Sequence, residues 1–528
     1  MAKVTPLGWR LGLLAIVVGL AASFFMFGYA LIYWRNADMD FMVVYNALVM
    51  NDGKPQYFFD HTGYLTILLV KVWFEALHGL GLLNHHALST MPTASDRLAF
   101  DAAMTEAVRA GRLLVWLIGT VSVLIFAALV RAIVRDWRLA LVATFAFGFS
   151  GSVAVHLRIM RTELIAACPV IFALMIMIVI GRRASPARPL WMAIVAALCV
   201  LGLENKVQAI LLIAALPLLI LPFGGIESAS VPVWRDSRTA IMLAAVSAIA
   251  AGCALWAAWP LLGIGFDPTL LRAAEFPPLL GRFGAYQIAL LLLVCTCMAI
   301  YAVRWRVSAT ETLASMTAVV AGASIALLAL TLDYNPGNVI AVFNPLEKMV
   351  RFTYVGPPIG SAAGVHPSSL IDILRPLLGG IVSVVARYTF VLSPSPRPTV
   401  FLTWLVLPGI AYAWMRSEKQ AAIEALFLVM AAIGIDVIGV LRGLKSEYFI
   451  FTDPLIILAG TLLLERMPDL RFRKWATPIA VSLFTIQIVV SQAEPVKSTF
   501  QRRGPESTCE WNRFYLPLMP LPWCPVPS

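Results

Sequence analysis

Two aspartates separated by one residue, Asp38 and Asp40, directly follow the first apolar segment of the 528-residue sequence. A carboxylate at the boundary between water and lipid can accept the proton of a hydroxyl group, and a pair of carboxylates can bind a divalent cation. Two such acids also suit the end of a helix at the interface, and their spacing alone favours this structural role. The rest of the sequence must therefore decide between the two interpretations.

Basic residues interrupt the apolar sequence at two later points, which makes them candidate ligands of a phosphate. Residues 156–163 carry Arg158 and Arg161 just before Glu163, between two apolar blocks, and Lys206 directly follows another such block. An ionisable residue so close to hydrocarbon is costly unless it is paired or faces a wet cavity. Arg offers a phosphate a planar fork and Lys a point charge. The alternatives are an ion pair of either arginine with Glu163, and a lysine whose amine reaches back to the interface.

A third group, Arg442, Lys445 and Tyr448, precedes the penultimate apolar block. These side chains suit a segment that closes over a phosphate or a sugar. Asp436 and Asp453 lie in apolar sequence on either side of the group, where each is either a functional acid or a structural one.

The composition is that of a membrane protein. Hydrophobic residues make up 60% of the chain and charged residues 13%, whereas a soluble domain is about half apolar and about a quarter charged. The formal charge of +11 comes from residues between the apolar blocks, so we interpret it as a topology signal and predict no nucleic-acid partner. The sequence contains no glycine-rich nucleotide-binding motif, which argues against ATP-driven or nucleotide-sugar chemistry.

The apolar blocks predict an all-α polytopic fold of about thirteen transmembrane helices. The predicted spans lie near residues 10–33, 112–134, 139–155, 164–181, 189–204, 207–224, 239–262, 286–303, 312–332, 399–415, 420–441, 448–465 and 475–491. Lys and Arg concentrate on alternate short loops, which places the N-terminus in the cytoplasm and the C-terminus outside. We predict a multi-pass protein of an inner (plasma) membrane, with a transmembrane domain over residues 1–491 and an extracytoplasmic tail over 492–528.

The long loops fall on the predicted extracytoplasmic side. The first covers residues 34–111, and its stretches 41–50 and 64–82 are amphipathic and aromatic, which predicts short helices along the membrane surface. Another long loop covers residues 333–398 and contains Pro/Gly turns.

Cysteine usage adds a hint about the compartment. Cys509 and Cys524 lie in the Pro-rich extracytoplasmic tail, where an oxidising environment would allow a disulfide; sequence leaves both the paired and the free state open. The other five cysteines lie in apolar spans and suit inert packing.

The residues after the first span resemble the first extracytoplasmic loop of the GT-C superfamily of lipid-phosphosugar-dependent glycosyltransferases. Asp38-Met39-Asp40-Phe41 leads through Tyr45 and Gly53 to His61-Thr62-Gly63-Tyr64. Enzymes of this superfamily carry a DxD-like motif after the first transmembrane helix, followed by an amphipathic helix with tyrosines and small residues. The spacing is most similar to the branch that uses polyprenol-phosphate-mannose, or to arabinosyltransferases. The match covers the N-terminal third of the chain, and beyond it the likeness is one of topology.

The resemblance implies an activity and a set of roles. A sugar would move from a polyprenyl-phosphate donor to a lipid, glycan or protein acceptor at the extracytoplasmic face, with Asp40 as the catalytic acid or base and Asp38 as the second choice. The residues implied to bind the donor phosphate are Arg158, Arg161, Lys206, Arg442 and Lys445, and those implied to bind substrate are Tyr45, His61, Tyr64, Glu163 and Tyr448. Some members of the superfamily use a divalent cation, Mg²⁺ or Mn²⁺, for which Asp38 and Asp40 are the ligands here, and others use none.

Two other classes of membrane protein would also place charged residues between apolar blocks. A transporter or flippase of lipid-linked glycans explains the spans equally well, but the sequence shows no paired, interrupted helices in corresponding halves. A ligase that moves glycan between lipid carriers shares the basic sites but does not require the Asp38–Asp40 pair.

Overall fold

The computed structural model describes residues 7–54, 56, 63–182, 187–206, 208–223, 245, 280–330, 370–389, 400–440, 446–466, 470–500, 504–509 and 516–524. Within these residues the chain forms helices and no strand. In chain order the helices are α1 (Leu7–Phe24), α2 (Met42–Asn51), α3 (Tyr64–Gly79), α4 (Arg97–Ile133), α5 (Trp137–Gly148), α6 (Gly151–Arg158), α7 (Glu163–Arg182), α8 (Arg188–Asn205), α9 (Ala209–Ile220), α10 (Leu280–Arg304), α11 (Ala309–Leu330), α12 (Leu370–Thr389), α13 (Val400–Met415), α14 (Lys419–Val440), α15 (Asp453–Glu465) and α16 (Leu470–Phe500).

Six helices in the described part of the chain are long and apolar enough to cross a membrane: α1 with its π-helical extension to Tyr29, α4, α7, α8, α11 and α14. The pair α5 and α6 adds a seventh span if it is counted as one, although the two are bent by 55°. The prediction of about thirteen spans is therefore not confirmed. The predicted span near residues 239–262 lies outside the described residues.

Helix α7 forms the centre of the bundle, and its side chains are buried on nearly all sides. Small residues allow its neighbours to approach closely. A Cβ atom at Gly202 on α8 would lie 2.6 Å from the carbonyl oxygen of Ala166 on α7. A Cβ atom at Gly322 on α11 would collide with the carbonyl oxygen of Ala193 on α8. Helices α7, α8 and α11 therefore pack backbone against backbone.

Helix α4 is longer than the predicted span 112–134, because it begins at Arg97. Its 37 residues correspond to a length of about 55 Å, whereas a membrane crossing needs about 30 Å. Asp96 caps its first turn by accepting a hydrogen bond of 3.0 Å from the Ala99 amide. The N-terminal third of α4 thus extends beyond the span and supports the first long loop.

Helix α2 differs from the predicted surface helix over residues 41–50. Every side chain from Met42 to Met50 is buried, so α2 has no solvent or lipid face. Helix α3, helix α4 and the C-terminal segment 516–524 cover it. Leu518 donates its amide to the Tyr45 hydroxyl at 3.2 Å. Helix α3 has the amphipathic character that was predicted for residues 64–82.

The C-terminal segment is held by a disulfide between Cys509 and Cys524, with 5.4 Å between their Cα atoms. The pairing that the sequence left open is therefore formed. Trp523 places its ring against those of Tyr33, Trp34 and Phe100, which fixes the segment onto the first loop.

Helix α12 lies within the residues that were predicted to form the long loop 333–398. Its Tyr388 hydroxyl donates a hydrogen bond of 2.7 Å to Asp436 on α14. The apolar stretch Leu378–Thr389 is shorter than a span. The rest of this loop lies outside the described residues.

Candidate functional site

Asp40 lies in a short π-helical turn, Ala37–Phe41, and its side chain is fully buried. Arg112, on α4, donates to the Asp40 carboxylate oxygen Oδ2 from Nε at 3.1 Å and from Nη2 at 2.5 Å. The same guanidinium donates from Nη1 to the carbonyl oxygens of Gly28 at 3.2 Å and Leu31 at 2.5 Å. Arg112 therefore ties the end of the first span to the candidate acid.

The second carboxylate oxygen of Asp40 connects this turn to the segment before α7. Oδ1 accepts a hydrogen bond of 2.8 Å from the backbone amide of Met160. These charge-assisted hydrogen bonds favour the ionised carboxylate. The side chain of Asp38 lies outside the described residues, although its backbone belongs to the same turn.

Glu163 is the centre of a second buried cluster, at the N-terminus of α7. Its Oε1 lies 2.8 Å from Lys206 Nζ, and its Oε2 lies 3.3 Å from Arg161 Nε and 3.4 Å from His156 Nε2. The positive end of the helix dipole favours a carboxylate at this position. Of the ion pairs considered from the sequence, the Arg161–Glu163 pair is formed.

Arg161 also contacts the short helix Ser446–Phe451, which precedes α15. Its Nη2 donates a hydrogen bond of 3.0 Å to Glu447 Oε1, and Tyr448 lies close by. Burial opposes the charged guanidinium, but the carboxylates of Glu163 and Glu447 outweigh it and raise the pKa of Arg161 above its usual value. The two carboxylates balance the charges of Arg161 and Lys206.

Lys206 is buried rather than extended to an interface, so the snorkelling alternative is wrong. The preceding residue holds it in place. The Asn205 side chain accepts from the amide and hydroxyl of Thr66 at 2.8 and 2.9 Å, and donates to the Thr162 carbonyl oxygen at 2.6 Å. The end of α8 is thereby tied to both α3 and the segment before α7, which fixes Lys206 next to Glu163.

Arg158 is the predicted phosphate ligand whose surroundings differ most from those of Arg161 and Lys206. Its Nη2 donates to Ser23 Oγ at 2.9 Å and to Gln492 Oε1 at 3.0 Å, and its guanidinium lies 5.0 Å from the Phe27 ring centre. No carboxylate of the described residues pairs with it, so the predicted alternative of an Arg158–Glu163 pair is not formed. The residue is 4% exposed, and its Nε and Nη1 have no hydrogen-bond partner in the part of the chain that the structure describes.

A chain of polar residues leads from the Glu163 cluster into the bundle. His156 Nδ1 lies 2.5 Å from the Ser152 carbonyl oxygen, and the Ser152 hydroxyl donates to Asp453 Oδ2 at 3.1 Å. Thr452 donates to Asp436 Oδ1 at 2.9 Å. Asp436 and Asp453, noted from the sequence, are therefore both hydrogen-bonded within the bundle.

The structure brings Arg161, Glu163, Lys206 and Tyr448 into one cluster, and Met160 links that cluster to Asp40. The tyrosines of the first loop have other partners: Tyr64 donates its hydroxyl to the Leu330 carbonyl oxygen at 2.9 Å, and Tyr45 contacts Leu518. His61, Arg442 and Lys445 lie outside the described residues.

Among the residues that contribute to these clusters, Arg112, Glu447, His156 and Asn205 were not candidates from the sequence. One feature of the sequence could have indicated Arg112: it is a charged residue at the start of the predicted span 112–134. Glu447 stood beside the selected Tyr448 but resembled an ordinary surface acid.

The described residues do not fit a divalent cation well. They contain no group of three His, Cys, Asp or Glu side chains able to hold a metal ion. Both oxygens of Asp40 already accept hydrogen bonds from Arg112 and Met160, so a cation there would have to displace a guanidinium of like charge.

The fold has a counterpart among solved structures. The archaeal oligosaccharyltransferase AglB from Archaeoglobus fulgidus, in complex with an inhibitory peptide and a dolichol-phosphate, aligns with a TM-score of 0.50 and 14% identity, covering 99% of this chain and 61% of that chain. This chain shares its fold. A crystal structure of the Archaeoglobus fulgidus oligosaccharyltransferase with Zn and sulfate aligns with a TM-score of 0.44 and 14% identity, covering 98% of this chain and 58% of that chain. No family model and no curated protein matches the sequence.

Proposed function

We propose that this chain is a membrane glycosyltransferase of GT-C type, which moves a sugar from a polyprenyl-phosphate-linked donor to a lipid, glycan or protein acceptor at the extracytoplasmic face of a plasma membrane. The fold shared with an oligosaccharyltransferase that was solved with a dolichol-phosphate and a peptide supports this class. The observation that carries the proposal is the hydrogen bond between Asp40 and Met160, because it joins the two polar segments that the sequence selected independently.

In the proposed reaction, Asp40 acts as the base, with Asp38 as the second choice. The acceptor hydroxyl oxygen attacks the anomeric carbon of the sugar while its proton passes to the carboxylate. The bond between that carbon and the phosphate oxygen breaks, and the lipid phosphate leaves with the electron pair. Asp40 must exchange one of its present donors for the acceptor hydroxyl, and such catalytic hydrogen bonds commonly tighten only when substrate is bound.

The leaving phosphate gains negative charge, so it requires fixed positive charge nearby. We assign this role first to Arg158, whose guanidinium is buried and has two nitrogens, Nε and Nη1, without hydrogen-bond partners among the described residues. Arg161 and Lys206 are neutralised by Glu163 and Glu447, so they bind phosphate only if a carboxylate moves away. Arg442 and Lys445 complete the proposed set from the segment before Tyr448.

The test uses purified protein in nanodiscs, supplied with a panel of polyprenyl-phosphate sugars and candidate acceptors. We expect the wild type to consume a donor, and Asp40→Asn to lose transfer. Asp96→Asn is the matched control, because asparagine still caps α4 and the site is untouched. Thermal unfolding of each variant separates loss of chemistry from loss of fold.

Two results would contradict the proposal. If Asp40→Asn transfers sugar at the wild-type rate, Asp40 is not the base. If neither the wild type nor Asp40→Asn consumes a donor, but both move a labelled lipid-linked glycan across a proteoliposome membrane, the protein is a flippase.

A further inference from the structure

A cavity of about 600 Å³ opens between the end of the first span, the C-terminal part of α3 and the N-terminal third of α4. Its volume falls within the range of about 300–1,000 Å³ that is typical of small-molecule sites. The residues that matter to its chemistry are Tyr29, Leu77, Leu82, Glu106, Arg109 and Leu113.

Two charged side chains of this cavity are available to a ligand. The Arg109 guanidinium lies over the Tyr29 ring, 5.2 Å from its centre, and its buried Nε has no hydrogen-bond partner within the described ranges. Glu106 makes no hydrogen bond or ion pair with the described residues. Asp101, also in the wall, already accepts from the Tyr33 hydroxyl and lies 3.8 Å from Arg97.

The cavity is separate from the Asp40 site. Arg109 and Arg112 are one turn apart on α4, but Arg112 points to Asp40 and to the carbonyl oxygen of Gly28, whereas Arg109 faces the cavity. Asp40 is fully buried, and neither it nor Arg112 lines the cavity. A ligand in the cavity would not contact Asp40.

The charges in the wall disfavour a phosphate. The charge of Asp101 is offset by Arg97 and that of Arg109 by Glu106, so the wall offers a phosphate no net positive charge. A neutral polyol suits this arrangement better, because each hydroxyl both donates and accepts, and adjacent hydroxyls can bind a carboxylate and a guanidinium side by side. The Tyr29 ring offers an apolar surface to the C–H face of a sugar.

The position of the cavity indicates a ligand that also has an apolar part. Leu113 begins the stretch of α4 long enough to cross the hydrocarbon core, so the cavity lies at the boundary of that core. Beside it, Leu80 is 73% exposed, Leu82 64% and Leu98 84%. Exposed leucines grouped at such a boundary suit contact with lipid chains.

We propose that this cavity binds the neutral, polyhydroxylated head group of a membrane amphiphile, with Glu106 and Arg109 as its hydrogen-bonding groups and its chain along Leu82. The inference goes beyond the proposed transferase, because binding here requires no reaction at Asp40.

A photoreactive octyl glucoside with a diazirine in its alkyl chain tests the proposal on the full chain in phosphatidylcholine nanodiscs. Mass spectrometry should find the label on peptides that contain Leu82 or Leu113. Excess octyl glucoside present during irradiation should prevent labelling, whereas an octyl ethylene-glycol ether and octyl phosphate should not. Glu106→Gln and Arg109→Gln should each weaken labelling about tenfold, as expected for the loss of a charged hydrogen bond.

Two tryptophan substitutions on α4, one in the cavity wall and one outside it, form a matched pair of variants. Ala102→Trp places a ring in the cavity wall and should abolish labelling, whereas Val121→Trp, at an exposed position of the same helix about two turns beyond Leu113, should leave it unchanged. Asp40→Asn should also retain labelling, so failure of the transferase proposal would not be confused with failure of this one. Equal competition by all three amphiphiles, or preference for octyl phosphate, would overturn the proposal.

Discussion

Lys206 and Glu163 are 43 residues apart in the sequence, yet their side chains form a buried ion pair with 2.8 Å between Nζ and Oε1. Removing two charges from water is costly, so such a pair persists only with good geometry and further hydrogen bonds. Arg161, His156 and Asn205 provide these contacts around the pair. The pair therefore joins α7 to the end of α8 within the proposed site.

The first prediction concerns this pair. Glu163→Gln and Lys206→Met should each lower the free energy of unfolding by about 3–5 kcal/mol, because each leaves an uncompensated buried charge. The double variant should lose less than the sum of the two. Chemical unfolding of the purified proteins measures this coupling. Strict additivity would show that the two side chains do not interact in the folded protein.

The second prediction separates the two roles of Asp40. Asp40→Asn leaves the Arg112 charge buried without its carboxylate, so we expect a loss of about 3–5 kcal/mol together with loss of sugar transfer. Replacing both residues, as Asp40→Asn with Arg112→Met, should recover much of the stability but none of the activity. Recovery of transfer in the double variant would show that Asp40 only anchors Arg112.

The third prediction compares two buried arginines that differ in their partners. Arg188, at the other end of α8, pairs with Glu311 at 3.4 Å, whereas Arg158 has no such partner among the described residues. Arg158→Gln should raise KM for the lipid-phosphate donor about tenfold with a small change in stability. Arg188→Gln should instead lower stability and leave KM unchanged. Steady-state kinetics and thermal unfolding measure the two effects, and a reversed pattern would remove Arg158 from the phosphate site.

The fourth prediction tests the close packing of α8 and α11. Gly322→Ala should destabilise the protein by about 1–3 kcal/mol, because the new methyl group meets the Ala193 backbone rather than a side chain that can move. Gly379→Ala on α12 is the control, since no described atom lies within 4 Å of its added Cβ. That change should be neutral or stabilise the helix by about 0.5–1 kcal/mol. Equal unfolding temperatures for the two variants would contradict the packing.

The fifth prediction concerns the disulfide. Cys509→Ser should weaken docking of the segment 516–524 by up to about 3 kcal/mol, the value expected for a bridge that closes a loop of this length. Amide hydrogen exchange of α2 should then become faster, because this segment covers it. Cys295→Ser, which removes a free and exposed thiol, is the control. Unchanged exchange in α2 after loss of the disulfide would show that the segment stays docked through its aromatic contacts alone.

Local sequence predicts helices well here, because apolar blocks and charged ends are local signals. The segment 156–163 and Lys206 could be selected for the same reason: charge next to hydrocarbon is visible in the sequence itself. Their partners could not be predicted. Arg112 meets Asp40 across 72 residues and Arg161 meets Glu447 across 286, and no local pattern encodes such pairings.

Helix α2 shows a different limit of sequence reasoning. Its tyrosine and asparagine resemble the polar face of a surface helix, but the hydroxyl of Tyr45 is bonded to the C-terminal segment and the amide of Asn46 donates to the Met42 carbonyl oxygen at 2.7 Å. A few polar groups that find partners inside the protein look the same in sequence as groups that face water. The burial of α2 depends on residues far along the chain.

The contact between Tyr45 and Leu518 spans 473 residues, and this has a consequence for biogenesis. While the ribosome makes the protein, α2 is synthesised long before the segment 516–524 that covers it. At about 5–20 residues per second, the interval is on the order of half a minute to a minute and a half. During that time nine successive buried side chains of α2 lack part of their final packing. Nascent chains stalled before residue 516 should therefore be the form of this protein that chaperones and proteases recognise.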